Sequence, residues 1–553
     1  MLSSTNIGLK YIRSMHLYLS GESGSRNGIK MTEQAHIVTA TILQFLPENI
    51  LERFSWCPWK AFKVDNLILL YKRQRKMKIL DVIKVTEELQ PRIEKESQSV
   101  QKDIFEAVTT LNLYPENRET LKDCGYFMKR TAEKIEDLTI HTDFHGGVDH
   151  FDGIFSPAIE TRELNDSATQ PGLLTRSIFK HMLPFEKCEP LANLRSLSLH
   201  YINVRHAADT WTKVIDFKKI EYLHLHDCGG ADSLLAQLSK AAHMPRKLKA
   251  FELRHVDNNE NEALSMLDGF LCLVSGIVEL ILDLRCVKSL PAAAGIAHQG
   301  KTLNLLFVHA TATENHPFIT LPPPPPGAVA APDEEHVYSN EDIETICKAC
   351  LGISQLSLAW PATQITRSPS EDWRHFEFWI LKMMPNLITL NISTWPLANV
   401  PQHSRPIYET LLQALALRLI TIAAYLASLT AADSGIHHPP PGHSVGFAPN
   451  WTPTEGNRTP KLRLVAFGGS DKIFDRIDSK TQNIYLRSTY KDAEGKDRLH
   501  ATPIGWCLKQ FVEPESGVLN YTQEAKTRHL PWPPSGNRER SLGWDPDDDD
   551  END

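Results

Sequence analysis

Apolar residues recur along this chain in one six-residue spelling, L-x-x-L-x-L, with any bulky apolar side chain standing at each L. It reads Leu51-Phe54-Trp56, Met77-Leu80-Val82, Val108-Leu111-Leu113 and Ile135-Leu138-Ile140 in the first part. It resumes as Leu194-Leu197-Leu199, Ile220-Leu223-Leu225, Leu248-Phe251-Leu253, Ile277-Leu280-Leu282 and Leu303-Leu306-Val308. It returns as Ile353-Leu356-Leu358, Leu387-Leu390-Ile392 and Leu462-Val465-Phe467, and a weaker copy, Ile12-Met15-Leu17, opens the chain. From Leu194 the copies start 26, 28, 29 and 26 residues apart, and from Leu51 they start 26, 31 and 27 apart. One such hexamer is cheap. Twelve, most at one step within the expected range of about 20 to 29 residues, predict a leucine-rich-repeat solenoid. A conventional α/β domain would also alternate strands and helices, but it gives no reason for a steady step.

Each unit predicts one short strand. Its fourth and sixth positions point inward, and positions three, five and seven face outward by the two-residue period. About 20 residues then remain to bring the chain back, enough for one helix. The stretches 66–77, 232–242, 262–273, 342–351 and 373–384 mix apolar residues at helical spacing with charges. The expected fold is therefore α/β: a curved parallel sheet inside, helices outside, and about 12 degenerate repeats. Position nine of the unit from Ile220 is Cys228, where this repeat class places a turn-stabilising Asn or Cys.

The solenoid is expected to fill residues 1–483, with insertions near 141–190, 310–340 and 431–460. The second insertion holds Pro322 to Pro326, which favours extended polyproline II that cannot join a sheet. The region 484–530 predicts two strands around a turn near Glu494-Gly495 that cap the last apolar face, a cover such arrays need. Residues 531–553 form an acidic tail, expected to be disordered because blocks of like charge repel.

Charge and cysteine content narrow the function. The formal net charge is −9, and Asp545 to Asp553 holds seven acids, so the rest of the chain carries only −2. No nucleic-acid footprint is expected. Nine cysteines at scattered spacings argue for a reducing compartment, so an intracellular, cytoplasmic or nuclear, location is expected. The apolar stretch 411–429 contains Gln413 and Arg418, which favours a buried helix over a membrane span.

Candidate chemistry is sparse. His141, Asp143, His145, Asp149, His150 and Asp152 have metal-ligand residue types without a zinc spacing. They support, as an alternative, a metal-assisted hydrolase. Cys347-Lys-Ala-Cys350 is a single C-x-x-C inside a helix and reads as packing. With no nucleophile elbow, Walker loop or dinucleotide fingerprint, no enzyme and no cofactor are expected. The better candidate surface follows from the repeat itself. Outward positions place His200, Tyr222, His224, His226, Glu252, Arg254, Asp283 and His309 on one concave face, roughly 5 Å apart between strands. Such a surface suits a protein partner.

The degenerate repeats, the segment Phe45 to Val82 and MPNLITLNIS at Met384 to Ser393 resemble the F-box/leucine-rich-repeat proteins of filamentous fungi. The resemblance implies a substrate-recognition adaptor of a cullin-type ubiquitin ligase, in which an N-terminal F-box docks a linker subunit and the repeats hold the substrate. The chain departs from that plan. Leu46-Pro47-Glu48-Asn49-Ile50 imitates the start of an F-box but runs directly into the strand Leu51 to Trp56. The expectation is a repeat protein without the F-box, serving a ligase substrate or, independently of any ligase, a scaffold client.

Overall fold

The computed structural model describes residues 7–17, 26–56, 61–82, 85–86, 89–115, 118–142, 172–257, 263–312, 335–394, 396, 405–428, 461–468, 483–504 and 517–520. The proline run, the third insertion, the acidic tail and the His/Asp cluster beyond Thr142 lie outside these residues.

One sheet of 15 strands carries the fold, and its strands stand in sequence order from end to end. Thirteen of them are the repeat strands. These are β1 (Ser14–Leu17), β2 (Arg53–Trp56), β3 (Ile79–Val82), β4 (Thr110–Leu113), β5 (Asp137–His141), β6 (Ser196–His200) and β7 (Tyr222–His226), then β8 (Ala250–Val256), β9 (Glu279–Arg285), β10 (Leu305–Ala310), β11 (Gln355–Leu358), β12 (Thr389–Ile392) and β13 (Leu464–Phe467). Every copy of the hexamer, the weak opening one included, forms one of them. All are parallel and aligned copy to copy, so Leu197 lies beside Leu138 and Leu223, and Leu306 beside Leu280 and Leu356.

The backbone repeats one further detail. The N–H at position three of a unit donates to the position-two carbonyl of the unit before. Arg53 bonds to Arg13, Ile79 to Glu52, Ser196 to Glu136, Glu279 to Lys249, Gln355 to Asn304 and Leu464 to Ile388. The insertions therefore change the length of the return path and leave the register untouched.

Between strands run α1 (Arg26–Phe45), α2 (Val64–Arg73), α3 (Leu89–Ile93), α4 (Gln98–Asp103), α5 (Arg118–Thr131), α6 (Leu173–Ile178), α7 (Ala208–Val214), α8 (Ala231–Leu238), α9 (Ala263–Leu273), α10 (Ala293–His298), α11 (Asn340–Ala349), α12 (Glu371–Met383) and α13 (Arg405–Ser428). From α7 onward each packs on its chain neighbour, layered like the strands. The spine is the row of position-one, -four and -six side chains, such as Leu194, Leu223, Phe251, Leu280 and Leu306, all fully buried against the helices. The expected loop over 141–190 ends early, because α6 packs on α5 and supplies a helical return. Gly125 on α5 permits the approach, since a Cβ there would stand 2.7 Å from the Ser177 carbonyl oxygen.

Cys228 sits where the repeat places its turn residue. Its thiol donates to the Leu199 carbonyl oxygen of the preceding unit at 3.2 Å, and burial pushes it up to about 12, so it stays protonated. Gly230, two residues on, starts α8 at φ 75°. A Cβ there would stand 2.4 Å from the Arg205 nitrogen and Cα. Gly230→Ala is expected to cost at least about 2 kcal/mol, the left-handed penalty plus the clash, measured as a lowered urea midpoint at unchanged slope.

α13 is long and apolar enough, by length and composition, to cross a membrane. It packs on α12, β13 and the C-terminal hairpin. Leu412, Ala416, Leu419, Ile420 and Ala423 form its buried stripe, and Arg418 makes two bonds, 2.9 and 2.8 Å, to the buried Glu377 carboxylate. The hairpin of β14 (Asn483–Lys491) and β15 (Asp497–Ile504) pairs antiparallel with β13 and turns at Glu494-Gly495. It lays Tyr485 edge-on against Phe467 and closes the open end of the spine. Cys347 on α11 and Cys350 just past its end are fully buried.

Candidate functional site

The sheet face opposite the helices carries positions three, five and seven. Register turns each position into a row across the strands. Row five runs Ser55, Asp81, Asn112, Thr139, Ser198, His224, Glu252, Ile281, Phe307, Ser357 and Asn391. Row seven runs His141, His200, His226, Arg254, Asp283 and His309. The expected ladder is thus assembled strand by strand.

It is also closed. His200, His226, Glu252, Arg254 and Asp283 are buried, Arg254 and His200 to 0% exposure. His224 and His309 are half-buried, and Tyr222 on row three is exposed at 40%. Facing away from the spine does not leave those five side chains open to solvent. In-register neighbours stand about 4.8 Å apart, so long side chains fill the space against one another. The rings of His141 and His200 stack at 4.8 Å, and His200 meets His226 edge-on at 4.2 Å.

From His226 the contacts become ionic. Glu252 Oε1 lies 3.1 Å from His226 Nε2 and accepts from Arg254 Nε at 2.7 Å. Arg254 Nη1 lies 3.9 Å from Asp283 Oδ2, and Asp283 Oδ1 is 3.0 Å from His309 Nδ1. His309 Nε2 reaches Glu335 at 3.6 Å, and Glu335 bonds Ser393. Glu335 bridges Thr311 at the end of the ladder. Burial alone would raise the Glu252 and Asp283 carboxyls. The opposing imidazole and guanidinium groups outweigh it and hold both below the ordinary carboxylate range. Their stabilisation is in full force above about pH 4.5 and drains away as pH falls through their folded values.

A second polar group lies among the first repeats, where Tyr114 Oη donates to Asp81 Oδ1 at 2.8 Å. Asp81, Asn112 and Tyr114 went unnoticed in the sequence, although the same counting of positions five and seven reaches them. Burial, only partly offset by Tyr114 and Asn112, raises Asp81 to about 6. The sign is opposite to that of Glu252. Between pH 3.8 and 6 the folded chain holds a proton that the unfolded chain has lost, so stability falls as pH rises through that window. That gap corresponds to about 3 kcal/mol. Asp81→Asn should stabilise the chain at pH 7 by up to that amount and have little effect at pH 4, as read from urea midpoints at the two pH values.

Ser198 Oγ lies 3.1 Å from His224 Nδ1, a serine–imidazole pair of the kind that nucleophilic catalysis uses. A working pair needs a third group to orient the imidazole. The nearby Glu252 carboxylate is engaged by His226 and Arg254 instead. Among the described residues, no three His, Cys, Asp or Glu side chains gather to hold a metal ion.

No family model matches the chain, and no curated protein sequence matches it. Among solved structures, the crystal structure of the Rad7 and Elc1 complex in yeast is similar over 70% of this chain and 100% of that one, at 11% identity and a TM-score of 0.34. A likeness at that level carries no argument about function.

Proposed function

We propose that the chain acts by binding a protein on its helix-free sheet face and catalyses nothing itself. The observation that carries this is Tyr222, an exposed aromatic on a rigid sheet. In row three it stands between the half-exposed Ser196 and the buried Ala250, with the half-exposed Asp137 and Glu279 one strand further out on either side, and half-buried His224 beside it in row five. An aromatic anchor ringed by polar groups is the usual make-up of an interface centre. The buried ladder beside it does not touch the partner; it holds the strands that present row three. The finer reading is a substrate-recognition adaptor of the F-box/leucine-rich-repeat kind in an intracellular ligase. Its support is the repeat pattern and the unbridged thiols of the seven described cysteines, which suit a reducing compartment.

A photo-crosslinking residue placed at Tyr222 should give a discrete protein adduct in cells. The same residue at Met266, exposed on α9, should not. No adduct at 222, or the same adducts at both sites, overturns the reading. An adaptor for degradation further predicts that the captured partner accumulates when this chain is removed; unchanged abundance assigns a ligase-independent scaffold. The metal-assisted hydrolase has one described residue, His141, whose ring is stacked on His200. Stoichiometric zinc in the purified chain would reinstate it.

A further inference from the structure

We propose that the helix-free face over β9 to β13 is a groove for a peptide presenting two adjacent aliphatic side chains, and that Gly517–Asn520 of this chain fills it in cis. This rests on the protein-binding reading and names the chemistry of one partner. The rows change character here. Ile281, Leu305, Phe307, Leu464 and Ile484 form an apolar cluster separate from the spine, on a face that is polar over the preceding repeats. Val518 and Leu519 complete that cluster, both at 0% exposure. The Val518 backbone N–H donates to Gln355 Oε1 at 2.8 Å, and Gln355 holds position three of β11 between Leu305 and Thr389.

What the groove reads is therefore plain: two aliphatic side chains and one backbone N–H. Any short Val-Leu-like segment supplies these. The cis segment is one 3-10 turn of four residues, seated by those contacts against β10, β11 and β12. Left bare, an apolar patch on this face would invite association. Covered in cis, it opens only to a competitor that outmatches a tethered segment, whose effective concentration is on the order of millimolar.

The probe is a fluorescent peptide of residues 513–523, EPESGVLNYTQ, titrated by anisotropy into two full-length chains: the natural one and V518S/L519S. The variant should bind it about tenfold or more tighter than the natural chain, and a peptide carrying both serines should bind neither. Equal binding by the two chains overturns the proposal. So does loss of the variant's cooperative melting, which makes the segment part of the fold. Hydrogen exchange on the natural chain needs no substitution: the amides of 518–520 should exchange faster than those of β10 to β12, and equal protection overturns the proposal. Peptide failure alongside a surviving Tyr222 adduct removes the groove and leaves the binding role. Peptide binding without any Tyr222 adduct does the reverse.

Discussion

Arg254→Met lowers the stability of the chain by about 3–5 kcal/mol, the typical cost of removing one partner from a buried charge cluster. Arg254 is fully buried, with the Glu252 and Asp283 carboxylates on either side. Without it, two buried carboxylates on adjacent strands lose the guanidinium that lies between them, and neither can return to water. The loss comes from the stranded acids more than from the bond itself. A triple variant, Glu252→Gln with Arg254→Met and Asp283→Asn, should therefore recover a large part of it, because no unpaired charge remains. Urea unfolding of the three chains checks this. A single variant as stable as the natural chain would show that the cluster is not closed to water.

Phe251→Ala costs a similar amount, about 3–5 kcal/mol for a fully buried aromatic in a close-packed core. Phe251 stands at position four of β8, in register with Leu223 and Leu280, and packs on Phe270 of α9 at 5.2 Å. In a linear array each unit contacts only its neighbours, so the damage should be local. Amide exchange should quicken in β7, β8 and β9 while β2 and β12 keep their protection. Uniform loss of protection along the chain would mean that the repeats fold as one cooperative globule.

Much of this architecture was legible before any coordinates. The position-four and -six side chains of each hexamer are paired copy by copy, and the helices expected at 232–242 and 373–384 form as α8 and α12, with ends shifted by a few residues. The period carries that information because a stacked array must bury the same positions in every unit. Burial on the other face was not legible. Alternation says that Glu252 and Arg254 point away from the spine, but not that their neighbours in space, 26 to 31 residues away in sequence, would seal them from water. That depends on side-chain length and pairing across strands. Tyr222 was reached by the same rule and stands outside the ionic chain, which rows five and seven carry. The docking of Val518 and Leu519 left no periodic trace at all, since one short turn has no repeat to announce it.

Distances between spin labels test the central claim, that the strands stack in the order of the sequence. Labels at row three report it with least disturbance, because Arg53, Tyr222 and Glu279 are partly or fully open to solvent. From β2 to β7 is five strand steps, or roughly 24 Å at about 4.8 Å per step, and from β2 to β9 is seven, or roughly 34 Å, each slightly less where the sheet curves. The account predicts narrow distributions near those values, with the Arg53–Glu279 pair longer than Arg53–Tyr222. A reversed order, or broad distributions centred elsewhere, would contradict it.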